Sequence, residues 1–216
     1  ANCGATYTVW SLAGTFTTQC DPMAAFTENF DGVTPPSLPV CWSKITGSGY
    51  IQTTTGTPAS PPNCIQIDTW GSALPANYPT LITPRIANLN AGHCQLLFDA
   101  WAACQGISIS VGTMSDPSDN STFNPFQTVT GLSTSDWTSF LVDFSAYTGS
   151  DQYIAFRQSF LPFTCSFRLD NLTWELLPPC QKPTALVYSY ITSYSVSIGW
   201  TAGSTETSWE YFIGPS

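Results

Sequence analysis

Cys94-Gln-Leu-Leu-Phe-Asp-Ala-Trp-Ala-Ala103 is the stretch that decides the fold, because it is apolar at nearly every position. Such a run predicts a central β-strand covered on both faces. The segments Ile107-Ser-Ile-Ser-Val111 and Tyr194-Ser-Val-Ser-Ile198 alternate apolar and polar residues, which predicts strands with one buried face. Further strand candidates are Phe140–Phe144, Tyr153–Arg157 and Phe167–Asp170.

Turn-forming residues separate these segments throughout the chain, which has 17 prolines and 15 glycines. They leave no room for an amphipathic helix of ordinary length. Short strands between frequent turn signals predict an all-β sandwich.

Two proline-marked junctions divide the chain, one at residues 19–23 and one at residues 177–183. They predict a head of residues 1–20, a central domain of residues 21–178 and a tail of residues 179–216. The central block has the size of a single domain, whereas both ends are too small to fold alone.

The composition excludes several classes of partner. Only 9% of the 216 residues are charged, and five Lys and Arg residues against 14 acids give a net charge of −9. This distribution cannot form the basic surface that nucleic acids or anionic membranes require. No run of about 18 apolar residues is present, so we expect no membrane insertion. The opening Ala1-Asn-Cys-Gly4 does not resemble a signal peptide, and we expect a mature internal fragment.

Eight widely spaced cysteines without a CxxC pair favour disulfides and an extracellular protein. The alternative is a set of buried free thiols. Cys94 and Cys104 should not pair, because ten extended residues separate them by about 33 Å, whereas a disulfide needs Cα atoms about 4.4–6.8 Å apart.

No residue pattern indicates catalysis. His93, the one histidine, lies at a turn next to Cys94, and neighbouring residues of a strand point to opposite faces. No nucleophile elbow or zinc-protease motif is present. A pair of carboxylates for glycoside hydrolysis remains open, but no feature selects one. We therefore expect a protein without enzymatic activity.

The central block resembles a known group of secreted bacterial domains. Phe26-Thr-Glu-Asn-Phe-Asp-Gly32 and Leu38-Pro-Val-Cys-Trp42 open it, and Arg168-Leu-Asp-Asn-Leu-Thr-Trp-Glu175 closes it. These segments resemble the MAM-like, choice-of-anchor and cleaved-adhesin domains of proteins exported by the type IX secretion system. The resemblance implies a jelly-roll β-sandwich and leaves the ligand open.

Both ends resemble parts of fibronectin type III (immunoglobulin-like) domains: the tail the first strands, through Tyr194-Ser-Val-Ser-Ile-Gly-Trp200, and the head the last strands. In that case Cys3 and Cys180 belong to different modules and have each lost a partner. This leaves an even set that can close fully: Cys20, Cys41, Cys64, Cys94, Cys104 and Cys165. A rival scheme joins Cys20 to Cys180.

The same resemblance implies a structural calcium ion between the first and last strands of the jelly roll. The matching positions are Glu28 and Asp170, with Asp31 and Asn29 as additional ligands. Carboxylates and turn carbonyls are suitable calcium ligands. The alternative is that Asp31-Gly32 is an ordinary turn and that both other acids are polar strand positions.

Aromatic residues have two interpretations. Trp70, Tyr78 and Trp101 are candidates for a sugar-stacking platform. Trp70 and Tyr78 lie among Gly, Ser and Pro, so we expect them to be exposed and assign the glycan site to them. Core packing is the expectation for Trp42, Trp101, Trp137, Trp174 and Trp200.

These observations predict a non-catalytic extracellular binding module of the adhesin type, within a larger secreted or cell-surface bacterial protein. Its partner would be a glycan or a cell-surface protein, and its ends would complete strands with a neighbouring chain or module. One alternative is a carbohydrate-binding accessory module of a secreted hydrolase. Another is a structural repeat of a surface fibre.

Overall fold

The computed structural model describes residues 2–3, 6–7, 20–70, 77–158, 164–178, 183–203 and 207–210. Those residues form β-strands and loops, with a 3₁₀ turn at Asn120–Thr122, and no α-helix occurs among them. Within them, no helix has the length and apolar character needed to cross a membrane.

One layer of the fold is a five-stranded sheet. Its strands, in chain order, are β4 (Ser43–Ile45), β7 (Thr80–Ile82), β9 (Ile109–Met114), β10 (Asn124–Val129) and β12 (Tyr153–Gln158). They are arranged in the order β10-β9-β12-β7-β4 with antiparallel pairing throughout.

The second layer is a six-stranded sheet. Its strands are β3 (Phe26–Glu28), β5 (Gly49–Thr54), β6 (Cys64–Thr69), β8 (Cys94–Ala102), β11 (Thr138–Asp143) and β13 (Cys165–Leu176). They lie in the order β11-β8-β13-β6-β5, and β3 pairs with β13. The first and last strands of the central block are therefore neighbours, which places its two ends together.

Apolar side chains from both sheets form the main core. Its largest fully buried residues include Phe30, Phe98, Phe156, Phe167 and Trp174. Burial of large apolar side chains between two sheets is the principal stabilising contribution in a sandwich. The all-β sandwich predicted from the strand pattern is confirmed.

The outer side of the five-stranded sheet is partly covered by the chain itself. Phe123, at the end of the 3₁₀ turn, packs there with Ile82, Met114 and Ala155 in a second, smaller apolar cluster. The guanidinium carbon of Arg157 lies 3.8 Å from the centroid of the Phe123 ring. Arg157 is 6% exposed, so the sheet surface beneath Phe123 and Arg157 is shielded from solvent.

The ends form two small ribbons. The strands β1 (Asn2–Cys3) and β2 (Thr6–Tyr7) pair with each other, and β14 (Thr184–Ser189) pairs with β15 (Ser197–Thr201). The strand predicted at residues 194–198 is shifted towards the carboxyl end. The reason is a turn in which the N–H groups of Tyr194 and Ser195 donate to Thr192 Oγ1.

The cysteine prediction needs a correction. Cys20 pairs with Cys41, and Cys104 pairs with Cys165. Cys64 and Cys94 are buried free thiols, so the six candidates do not close fully and Cys20 is not available to Cys180. Cys180 and the side chain of Cys3 lie outside the described residues. The expectation that Cys94 and Cys104 do not pair with each other is confirmed.

Strand register explains why Cys64 and Cys94 do not form a disulfide with each other. Cys94 is opposite Leu176 of β13. Ile65 is opposite Leu169 of β13, so the preceding residue, Cys64, lies beside Asp170. Six residues of an extended strand amount to about 20 Å. This separation exceeds the reach of a disulfide several times.

Candidate binding face

The outward side of the six-stranded sheet is open along its central strand. In β8, Leu96, Phe98 and Ala100 are buried, whereas Leu97 and Trp101 on the other side are only half-buried. The prediction that this strand is covered on both faces is therefore wrong. We call the outward surface of β11, β8, β13, β6 and β5 the open face.

A row of long side chains crosses the open face. Gln52, Gln66, Arg168 and Trp101 are opposite one another on β5, β6, β13 and β8. Arg168 Nε donates to Gln66 Oε1 (3.3 Å), and the guanidinium carbon lies 4.8 Å from the centroid of the Trp101 ring. Contact of a cation with an aromatic face is attractive and holds both side chains in place.

The loop between β5 and β6 forms one wall of this row. Arg168 Nη1 donates to Thr57 Oγ1 (2.7 Å) and to the carbonyl oxygen of Gly56. The indole N–H of Trp137, which directly precedes β11, donates to the carbonyl oxygen of Thr57 (3.1 Å). Both contacts fix the loop against the end of the open face.

A groove of about 330 Å³ lies beside this row, over β11, β8 and β13. Its lining includes Leu97, Asp99, Ser139, Thr173 and Glu175. The apolar Leu97 lies between polar side chains, so the groove offers both packing surface and hydrogen-bonding groups.

The polar groups of the groove are held by their neighbours. Asp99 accepts from Ser139 Oγ (2.5 Å) at one carboxylate oxygen and from Asn171 Nδ2 (2.8 Å) at the other. Glu175 Oε1 accepts from Gln95 Nε2 (2.8 Å). These hydrogen bonds join three neighbouring strands and give each carboxylate a fixed direction.

A β-bulge places Asn171 in this network. The pairing of β13 with β8 shifts between Asp170 and Thr173, and Asn171 takes a left-handed backbone conformation with φ of 51°. Asparagine tolerates that conformation better than most residues. The bulge lets Asn171 Oδ1 accept from Ser60 Oγ (2.8 Å) while its amide reaches Asp99.

Asp170, a predicted calcium ligand, is fully buried beneath the bulge. Its carboxylate accepts from the backbone N–H groups of Ala59, Ser60 and Asn171, at 2.8–2.9 Å. Burial raises the pKa of this carboxyl group, and the donated hydrogen bonds oppose the rise. The role of Asp170 as a calcium ligand stays a prediction.

The other two acids predicted as calcium ligands, Glu28 and Asp31, also accept hydrogen bonds. Glu28 Oε1 accepts from the N–H of Phe30 (2.7 Å), and burial raises the pKa of Glu28. Asp31 accepts from the N–H of Asn63 (2.9 Å) and from Asn29 Nδ2 (2.7 Å). Among the described residues, no three His, Cys, Asp or Glu side chains lie close enough together to hold a metal ion. The calcium ion stays a prediction.

Of the two residues predicted to bind a glycan, Trp70 is 54% exposed and lies at the edge of the open face. Its ring contacts that of Tyr50 at a centroid distance of 6.3 Å. Tyr78 is 8% exposed and lies next to β7 in the other sheet, where its carbonyl oxygen accepts from Asn120 Nδ2. The expectation that Tyr78 is exposed is wrong, because the Asn120 side chain ties this segment to the five-stranded sheet.

The tryptophans predicted for the core divide into two groups. Trp42 and Trp174 are buried, as predicted. Trp101, Trp137 and Trp200 are only half-buried. Trp101 and Trp137 belong to the open face because their parity along the strands directs them outward.

The open face leaves only a partial signal in the sequence. Gln95, Leu97, Asp99 and Trp101 alternate with the buried positions of β8, but Leu97 and Trp101 are apolar and hide the alternation.

His93 is exposed, and its Nδ1 lies 2.6 Å from the carbonyl oxygen of Ala91. It takes no part in the open-face network.

Comparison with known proteins supports the fold. The K2 cleaved adhesin domain of Lys-gingipain matches with a TM-score of 0.55 and 18% identity, over 71% of this chain and 100% of that domain. The K1 cleaved adhesin domain of Lys-gingipain from Porphyromonas gingivalis W83 matches with a TM-score of 0.51 and 20% identity, over 71% and 99%. The chain shares their jelly-roll fold.

A family 11 carbohydrate-binding module from Clostridium thermocellum, in complex with a β-1,3-1,4-mixed-linked tetrasaccharide, matches with a TM-score of 0.45 and 13% identity, over 70% of this chain and 96% of that one. No protein-family model matches the chain, and no curated protein matches it significantly.

Proposed function

We propose that this protein is a non-catalytic extracellular binding module of the adhesin type, and that the open face of its six-stranded sheet is the binding surface. The observation that carries the proposal is the groove over β11, β8 and β13 with its fixed polar side chains. The fold shared with two cleaved adhesin domains supports it.

Two disulfides support an extracellular setting, since such bonds persist in oxidising compartments. The acidic composition fits a surface that avoids nucleic acids. We propose, on the sequence resemblance, that the module belongs to a larger bacterial surface protein exported by the type IX system. Its domain boundaries would be those at residues 20/21 and 178/179.

The spacing of the groove acids favours binding over hydrolysis. Glu175 is opposite Gln95 of β8, and Gln95 and Asp99 are four residues apart on that strand. The backbones of Asp99 and Glu175 are therefore separated by about 13 Å along the strand direction. Paired carboxyl groups of glycoside hydrolases are about 5–9.5 Å apart. The backbone separation is larger than this range, and each of the two groove carboxylates is held by its own hydrogen-bond donors.

Solid-phase binding of the full chain tests the proposal. The panel would contain neutral polysaccharides, anionic polysaccharides and purified cell-surface proteins. We expect saturable binding to at least one member, with no release of reducing ends from the polysaccharides. Absence of binding across the panel, or turnover of a bound member, would overturn the proposal.

A second candidate function is that of a carbohydrate-binding accessory module of a secreted hydrolase. The exposed Trp70 and the polar groove favour it, because sugars bind to aromatic rings and hydrogen-bonding side chains together. The two candidates share one surface and differ in the parent protein, so the sequence of the flanking domains distinguishes them.

Two further proposals come from the sequence resemblance alone. The first is the calcium ion, which calorimetric titration with Ca²⁺ would test. Full uptake by an Asp170→Asn variant would remove Asp170 from the ligands. The second is that both ends are parts of fibronectin type III-like modules. The exposed apolar residues of the tail support a contact with a neighbouring chain or module, of the strand-complementation kind.

A further inference from the structure

We infer that the open face binds a neutral polysaccharide chain, which runs along β8 and β13 from the groove beside Glu175 to the ring of Trp101. This inference rests on the proposed function and names the ligand class of the same surface. The path from Gln95 to Trp101 covers six residues of β8, or about 20 Å, which exceeds the length of a single sugar ring.

The charge of the face excludes anionic ligands. Asp99 and Glu175 line the groove, and Asp68 and Asp143 lie on the outward positions of the flanking strands. Among the described residues, the one cation of this surface is Arg168, which is directed to the Trp101 ring and to the β5–β6 loop. Sulfated or uronic-acid chains would therefore meet uncompensated negative charge.

A basic peptide is the rival ligand, and the hydrogen-bonding groups argue against it. Ammonium and guanidinium groups only donate hydrogen bonds, whereas sugar hydroxyls both donate and accept. Beside its carboxylates the groove offers the hydroxyl groups of Ser139 and Thr173 and the amide of Asn171. A sugar hydroxyl can donate to these groups and also accept from them, whereas a cationic side chain can only donate.

Apolar surface lies in the same path. Leu97 lies in the groove, and beyond the groove Trp101 is held by Arg168 on its face and by its own indole N–H, which donates to the carbonyl oxygen of Thr134 (3.1 Å). A sugar ring has an apolar face and a hydroxyl-bearing edge, so it matches a floor of this kind between polar walls. Because the side chains are already fixed, little conformational entropy is lost on binding.

Affinity electrophoresis of the full chain tests the inference. The native gels would contain hydroxyethylcellulose, mixed-linkage β-glucan, galactomannan or dextran, with heparin as the anionic polymer. A fluorescent oligolysine peptide would be titrated in parallel. We expect retardation by at least one neutral polymer, and no binding of heparin or oligolysine.

Matched variants locate the site. Trp101→Ala and Asp99→Asn should each bind about tenfold more weakly or worse, the loss expected for a central contact. Trp101→Phe retains a ring and should lose less, which guards against a folding defect in the alanine variant. Asp21→Asn removes an exposed acid outside the face and should bind normally.

Three outcomes would overturn the inference. Binding of oligolysine or heparin alone would reject the neutral glycan and leave a binding module in place. Glycan binding that survives both face variants would reject this surface and again leave a binding module. A chain that binds no polymer, no peptide and no member of the solid-phase panel would reject the proposed function as well.

Discussion

Arg168 and Trp101 are opposite each other on β13 and β8, and the guanidinium of the first covers the indole ring of the second at 4.8 Å. The same guanidinium donates to Gln66 on β6 and to Thr57 in the β5–β6 loop. One side chain thus connects three strands and a loop through neutral partners. The open face depends on it for its shape.

Replacement of Arg168 by alanine should lower the free energy of unfolding by about 2 kcal/mol, because hydrogen bonds from a charged donor and a cation–π contact are lost together. Urea denaturation measures the loss. Arg85→Ala is the matched control, since Arg85 Nε donates to Gln152 Oε1 at an exposed site, and we expect a loss below about 0.5 kcal/mol there. Equal losses in the two variants would contradict the role of Arg168.

The Asp170→Asn variant should be destabilised by about 2–3 kcal/mol. Three backbone N–H groups donate to the carboxylate. An amide has one oxygen, and its NH₂ group would face at least one of these donors. Thermal and urea unfolding would show the loss. The exposed Asp136, which accepts from Ser135 Oγ, provides Asp136→Asn as a control, and we expect no measurable change.

The strand pattern predicted part of the sandwich. β8, β11, β12 and the first half of β13 lie where alternation or apolar runs indicated strands. These elements are readable because each residue's burial follows from its parity along the chain. The outward side of β8 could not be read in this way, since an exposed tryptophan in a binding surface and a buried one in a core look the same in a sequence.

The contacts that build the open face could not be predicted from the sequence for a different reason. Asp170 accepts from Ala59 and Ser60, which are 111 and 110 residues away along the chain. No local pattern predicts which loop lies over a β-bulge. The hydrogen-bond donors around Asp170 therefore could not be predicted from the sequence.

The buried thiols of Cys64 and Cys94 should resist alkylation while the chain is folded. Burial raises the pKa of Cys64 to about 12 and also raises that of Cys94. Only the thiolate reacts, and at pH 8 a thiol with this pKa is ionised to about one part in 10⁴. Iodoacetamide should label neither residue at pH 8 in the folded chain and both in urea, as peptide mass spectrometry would show.

Raising the pH should speed the labelling of folded Cys64 about tenfold per pH unit below pH 12, because its thiolate fraction grows in that proportion. The peptides of Cys20, Cys41, Cys104 and Cys165 serve as internal controls that stay unlabelled until reduction. Labelling of Cys64 in the folded chain at the rate of the unfolded one would show that the thiol is not buried.

The tail ribbon of β14 and β15 should cause the chain to self-associate, and the sandwich without this ribbon should not self-associate. Tyr188, Ile191 and Tyr194 are 72%, 67% and 100% exposed, and a two-stranded ribbon with an uncovered apolar surface is marginal in water. Deletion of residues 183–216 should abolish concentration-dependent association in sedimentation velocity and change the melting temperature of the sandwich by less than about 2 °C. The full-length Tyr194→Ser, Ile191→Ser variant should behave in the same way. Association that persists in both proteins would place the self-contact on the sandwich, and a large fall in melting temperature on deletion would show that the tail packs on it.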